Sequence, residues 1–101
     1  MRRTFTKEAH VKEAVREILK ARAIWYFMPS MNGMGRQGIP DFICCGKQGR
    51  FLAIETKLDP NKPTAHQRRE LDKLLAQGAL ALVVTQNDLD QFERLLGALG
   101  L

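Results

Sequence analysis

Hydrophobic residues recur at helical spacing near the start of the chain and then condense into shorter apolar runs. Over residues 6–22, apolar side chains recur every three or four residues, which predicts an amphipathic helix. Its apolar stripe consists of Val11, Ala14, Val15, Ile18 and Leu19. The segment IWYFM, residues 24–28, predicts a strand of bulky side chains. A glycine-rich segment follows over residues 29–39, and connections of that length are often functional.

Two further apolar runs predict a hairpin in the middle of the chain. They are DFICC, residues 41–45, and RFLAIETK, residues 50–57, and the GKQG between them has glycine at both ends. Beyond the hairpin, residues 64–77 predict a helix that Gly78 would terminate.

The remaining segments complete an α/β pattern. ALALVVT, residues 79–85, predicts a strand covered on both faces, and residues 87–96 predict a final helix. The order αβββαβα indicates an α/β fold with a central mixed four-stranded sheet flanked by helices. A right-handed crossover would place the fourth strand parallel to the third. With 101 residues, we expect a single domain over residues 1–101.

Composition and charge narrow the classes of function. The net charge of +5 favours a polyanionic partner such as nucleic acid, although it does not establish one. No apolar segment follows the N-terminal arginines, and the longest apolar run is far shorter than the roughly 18 residues of a membrane span. We therefore expect a cytoplasmic protein with no membrane partner. Cys44 and Cys45 are adjacent and offer neither a disulfide with each other nor a zinc-binding spacing.

Two carboxylates are predicted to meet where the hairpin strands end. The start of one strand lies beside the end of the other, so Asp41 would lie next to Glu55. Close carboxylates repel unless one is protonated or a cation lies between them, and Mg²⁺ prefers oxygen ligands. The Thr56 carbonyl would add an oxygen, and Lys57 shares the strand face of Glu55. The alternative interpretation is a turn aspartate and an exposed Glu–Lys pair.

The first helix carries a glutamate in line with its apolar stripe. At about 100° per residue, Glu8 falls within the stripe and Glu13 falls on the opposite side. Glu8 is therefore a candidate third acid, with Glu13 as its alternative, unless Glu8 only complements the helix dipole. Lys12 and Arg16 are predicted on the outer face, where they either contact phosphates or are simply solvated.

The motif Pro40-Asp41 followed by Glu55-Thr56-Lys57 resembles that of the PD-(D/E)xK nucleases, and the αβββαβ order resembles their restriction-endonuclease-like core. More narrowly, the chain resembles a stand-alone VRR-NUC (virus-type replication-repair nuclease) domain from Lys7 to about Thr85. The features that carry this resemblance are Glu8 before the apolar stripe, Asn32-Gly33, GIPD, FLAIETK and PTAHQ.

The resemblance implies a role for each matching residue. Asp41, Glu55 and the Thr56 carbonyl would bind Mg²⁺ or Mn²⁺, and Glu8 would reach the metal directly or through water. Lys57 would orient or help deprotonate the attacking water and offset charge in the transition state.

Two further regions are predicted to flank the site. Gln67 matches the glutamine of the helix that follows the motif, although Thr64 to Gln67 also fits a capping box. The loop 30–38 is predicted to approach the DNA backbone with Asn32 and Arg36, since its glycines permit close contact.

These features together predict a metal-dependent, structure-selective DNA endonuclease of a bacterial or phage-infected cell. Stand-alone members of the family resemble dimeric Holliday-junction resolvases, so the resemblance implies a homodimer that acts on four-way junctions. The alternatives are a less selective flap or restriction-type nuclease and a basic nucleic-acid-binding protein without catalysis. Apolar candidates for the dimer interface are Trp25, Phe27, Met28, Met31 and Met34. Alternatively, Trp25 and Phe27 belong to the core.

Overall fold

A four-stranded sheet with helices on both faces organises the protein, in a computed structural model that describes residues 3–30 and 36–101. The helices are α1 (Glu8–Ala21), α2 (Ala65–Ala76) and α3 (Leu89–Ala98), and the strands are β1 (Trp25–Phe27), β2 (Phe42–Gly46), β3 (Arg50–Thr56) and β4 (Leu80–Val84). The sheet runs β1-β2-β3-β4; the first two pairings are antiparallel and β3–β4 is parallel. The predicted element order and mixed sheet are confirmed.

Alternation along the strands divides the core between the two faces of the sheet. Leu52 and Ile54 of β3 pack into the larger cluster, which includes apolar residues of α1 and α3. Ala53, between them, faces the smaller cluster with Leu71 of α2. Because β3 is central and covered on both faces, the residues at its end, Glu55 and Thr56, are buried as well.

Of the two strands that carry the predicted acids, one is shifted by a residue and the other is a residue shorter than expected. β2 begins at Phe42 rather than Asp41, and β3 ends at Thr56 rather than Lys57. Asp41 and Lys57 therefore lie just outside the ladder, where their side chains are less constrained by the pleat. Within the described residues, no helix combines the length and apolarity needed to cross a bilayer.

Within residues 3–30 and 36–101, one face of the β1 edge is left uncovered. Trp25 is 62% exposed and Phe27 is 54% exposed. The hypothesis that these two residues belong to the core is wrong, because β1 is an edge strand and α2 packs over β3 and β4 instead. Met28 is also exposed, whereas Met31 and Met34 lie outside the described residues.

Candidate active site

Asp41 is held from two sides by α1 and β3. The backbone N–H and the Oγ1–H of Thr56 donate to Asp41 Oδ2 at 2.9 and 2.6 Å, and Lys12 Nζ lies 3.5 Å from Oδ1. Burial raises the pKa of Asp41, but hydrogen bonds with Glu55 and Thr56 and the charge of Lys12 outweigh burial and lower it. Asp41 is therefore held as a carboxylate.

Glu55 lies beside Asp41 and is fully buried. Burial, together with the hydrogen bond and the negative charge of Asp41, raises the pKa of Glu55 to about 9. Glu55 therefore keeps a proton when no cation compensates the pair. Its Oε2 is buried and has no hydrogen-bond partner among the described residues. An orphaned buried oxygen is costly, so it indicates an atom that has another partner when the protein works.

Lys57 and Glu8 form the next layer of the site. Lys57 Nζ lies 3.7 Å from Glu8 Oε1, and the Lys57 side chain is only 12% exposed. Glu13 is exposed and binds Arg16 with both carboxylate oxygens, at 3.0 and 2.8 Å. Of the two candidate glutamates of α1, Glu8 is therefore the one that lies beside Lys57.

Lys12 was predicted to lie on the outer face of α1, and this prediction is wrong. This residue lies one helical turn after Glu8 and pairs with Asp41, so the flank of α1, and not only its apolar stripe, borders the site. Arg16 pairs with Glu13, and its Nη1 lies 3.5 Å from the Tyr26 hydroxyl.

Arg36, which was predicted to contact DNA, is anchored to α2. Its Nη2 donates to Glu70 Oε2 at 3.1 Å, and its Nε contacts the other oxygen of the same carboxylate. Lys73 Nζ lies 3.5 Å from Glu70 Oε2, so the buried Glu70 is shared by two cations. Asn32 lies outside the described residues.

Gly38 fixes the end of the glycine-rich loop against α2. Its φ is +80°, and a Cβ at this position would lie 2.5 Å from the carbonyl oxygen of His66. The loop therefore meets the first turn of α2 three residues before Asp41. The contact also involves the backbone of Gln67, whose side chain closes the predicted capping box with Thr64.

A phage protein of similar length aligns with most of this chain. "Putative nuclease p44" of Acyrthosiphon pisum secondary endosymbiont phage 1 is 32% identical over 87 residues, which are 86% of this chain and 90% of the phage protein. A solved structure described as a VRR_NUC domain matches with a TM-score of 0.73 at 29% identity, covering 86% of this chain and 94% of that one. The chain belongs to the VRR-NUC nuclease family. No family model matches the sequence.

The donor set of this VRR-NUC protein fits a hard divalent cation. Asp41 and Glu55 present carboxyl oxygens side by side, and the buried Oε2 of Glu55 is without a partner in the described part of the chain. Mg²⁺ and Mn²⁺ prefer oxygen ligands of this kind. Across residues 3–30 and 36–101, no three His, Cys, Asp or Glu side chains converge, so Glu8 pairs with Lys57 rather than completing a triad.

Sequence reasoning missed Glu70, although helical spacing contains a signal for it. Glu70 follows Gln67 by three residues and precedes the buried Leu71 and the half-buried Leu74, so it falls on the inner side of α2. A glutamate at such a position needs a cation, and this VRR-NUC chain supplies Arg36 from the loop.

Proposed function

We propose that this VRR-NUC protein is a Mg²⁺- or Mn²⁺-dependent endonuclease that hydrolyses DNA phosphodiester bonds. The supporting observation is that the half-buried Asp41 lies beside the buried Glu55, one of whose oxygens has no partner among the described residues. A buried acid beside a second acid destabilises a fold unless the pair binds something, which favours a functional role over a purely structural one.

The residues divide the chemistry between them. A divalent cation held by Asp41, Glu55 and the Thr56 carbonyl would polarise the phosphate and activate a water molecule. Thr56 fixes the orientation of Asp41 through its two hydrogen bonds. Lys57, which Glu8 keeps oriented, donates hydrogen bonds to the attacking water or to a phosphate oxygen and offsets the charge that develops there.

The same proposal extends to the shape of the substrate. A dimer with two-fold symmetry would present two sites to a four-way junction, and its paired cuts would resolve the junction. The exposed Trp25 and Phe27 on the β1 edge support this part of the proposal, because large exposed apolar side chains often belong to interfaces. The net charge of +5 favours a nucleic-acid partner.

Cleavage assays test both parts of the proposal. Labelled four-way junction, flap and linear duplex DNA are incubated with Mg²⁺, Mn²⁺ or EDTA, and wild type is compared with Asp41→Asn. Asp72→Asn is the matched control, because Asp72 is an exposed aspartate paired with Arg68. We expect symmetric cuts in the junction that EDTA and Asp41→Asn abolish and Asp72→Asn retains. Equal cutting of all three substrates would reject junction selectivity, and no cutting in any metal would reject the enzyme.

A further inference from the structure

Lys12 contacts the one oxygen of Asp41 that Thr56 leaves open. Thr56 donates both of its hydrogen bonds to Oδ2, whereas Lys12 Nζ lies 3.5 Å from Oδ1. A cation that binds Asp41 without breaking the Thr56 contacts has to approach Oδ1. Oδ1 is the oxygen that Lys12 already contacts.

We propose that Lys12 is a displaceable counter-ion of the metal site and becomes a ligand of the substrate phosphate once the metal is bound. This inference rests on the proposed metal-dependent function. Contact of Lys12 with phosphate was one of the alternatives that the sequence left open, whereas its role as counter-ion of Asp41 was not predicted.

The exposure of the two lysines at the site separates their roles. Lys57 has a side chain only 12% exposed and pairs with Glu8, so it is fixed in place. Lys12 has a side chain 35% exposed and pairs with Asp41 itself, so its flexible four-carbon stem can swing outwards without disturbing the core.

Electrostatics gives the displacement a direction. A divalent ion on Oδ1 repels an ammonium group at the same oxygen, and Lys12 then needs another anion. A DNA phosphate beside the metal provides one, through a charge-assisted hydrogen bond. Metal binding without DNA is therefore opposed by Lys12, whereas DNA and metal strengthen each other's binding.

Metal affinity measured without DNA tests the inference independently of cleavage. Mn²⁺ is titrated calorimetrically at low ionic strength into wild type, Lys12→Met, Lys12→Arg, Lys20→Met and Asp41→Asn. Methionine keeps the length and helix propensity of lysine but removes its charge. Lys20 lies on the same helix and is exposed, so it serves as the matched control.

We expect Lys12→Met to bind Mn²⁺ about fivefold more tightly than wild type, a change of the size expected for losing a partly exposed ion pair. Lys12→Arg and Lys20→Met should match wild type, and Asp41→Asn should lose binding. In cleavage assays, Lys12→Met should show a lower kcat/KM despite its tighter metal binding.

Three results would overturn the inference. Unchanged Mn²⁺ affinity in Lys12→Met, with binding lost in Asp41→Asn, would reject the role of Lys12 and leave the proposed function intact. A lower Tm in Lys12→Met without tighter Mn²⁺ binding would make the Lys12–Asp41 pair purely structural. Absence of Mn²⁺ binding by wild type would remove the metal site, and the inference with it.

Discussion

Glu55 makes the stability of the metal-free protein depend on pH. Burial, with the neighbouring Asp41, raises the pKa of Glu55 to about 9 in the folded state, whereas the unfolded chain ionises near the ordinary value of 4.5. Between these values unfolding releases a proton, so rising pH lowers the free energy of unfolding by up to about 1.4 kcal/mol per pH unit. Below 4.5 both states hold the proton, and above about 9 neither does.

We therefore expect the free energy of unfolding in EDTA to fall as the pH rises through this window. The lowered pKa of Asp41 contributes the opposite trend, but only at more acidic pH, below its ordinary value of 3.8. Urea denaturation at several pH values measures the slope. Glu55→Gln, which cannot ionise and can donate to Asp41, should flatten this slope, so its stability advantage over wild type should grow as the pH rises. Parallel pH profiles for wild type and the variant would contradict this account.

The residues of the site differ in how far the sequence could predict them. Asp41, Glu55 and Lys57 followed from strand alternation and hairpin pairing, because the register of β2 against β3 places their ends together. The pairing of Lys12 with Asp41 did not follow. It depends on how α1 lies on the sheet, and hydrophobic periodicity gives the face of a helix without its docking position.

The first turn of α2 serves as a support for the loop that leads to Asp41. Gly38 approaches the His66 carbonyl too closely for any side chain, and its φ is positive. Both features act against Gly38→Ala, one through strain in the backbone and the other through collision with α2.

Gly38→Ala should therefore destabilise the protein by about 3 kcal/mol, as both strain and overpacking contribute. The control is Gly78→Ala, because Gly78 has a similar φ of +89° but no atom near the position of a Cβ. Its cost should be only about 1 kcal/mol, from the backbone alone. Urea denaturation of both variants separates backbone strain from the collision with α2. Equal losses in the free energy of unfolding would mean that α2 shifts to make room for the added Cβ.

Gln67 caps α2 and is also proposed to act at the site, and substitution can separate the two roles. Thr64→Ala should cost about 1 kcal/mol of stability through the lost cap, with little change in cleavage rate. Gln67→Glu keeps an oxygen for the Thr64 N–H but loses the amide donor. We expect this variant to retain stability and cleave DNA more slowly. Unchanged cleavage would make Gln67 a cap and nothing more.

At the level of elements, the sequence predicted the helices and strands better than it predicted the packing between them. Helix and strand order followed from periodicity and from glycine and capping signals such as Thr64 and Gly78. Exposure of Trp25 and Phe27 could not be decided in the same way, because bulky strand residues suit both a core and an interface. Their exposure follows from the position of α2 over β3 and β4.

In the molecule as a whole, the β1 edge of the sheet exposes large apolar side chains. If a second copy covers this surface, replacing Trp25 and Phe27 together by serine should weaken dimerisation without lowering the stability of the monomer. Sedimentation velocity over a range of protein concentrations measures the association. Leu75→Ser, at an exposed apolar position on α2, is the control and should leave it unchanged. Equal association of wild type and the double variant would place the interface elsewhere.

The anchorage of Gly38 on α2 also bears on how such a protein can change over time. Asp41 is held by Thr56, and the chain just before it is pinned at Gly38 and through the pairing of Arg36 with Glu70. We therefore expect substitutions or insertions earlier in the glycine-rich segment to leave Asp41 where it is. Under the proposed function, descendants of this protein could alter which DNA they attack by varying one short stretch, while the proposed catalytic residues are inherited unchanged.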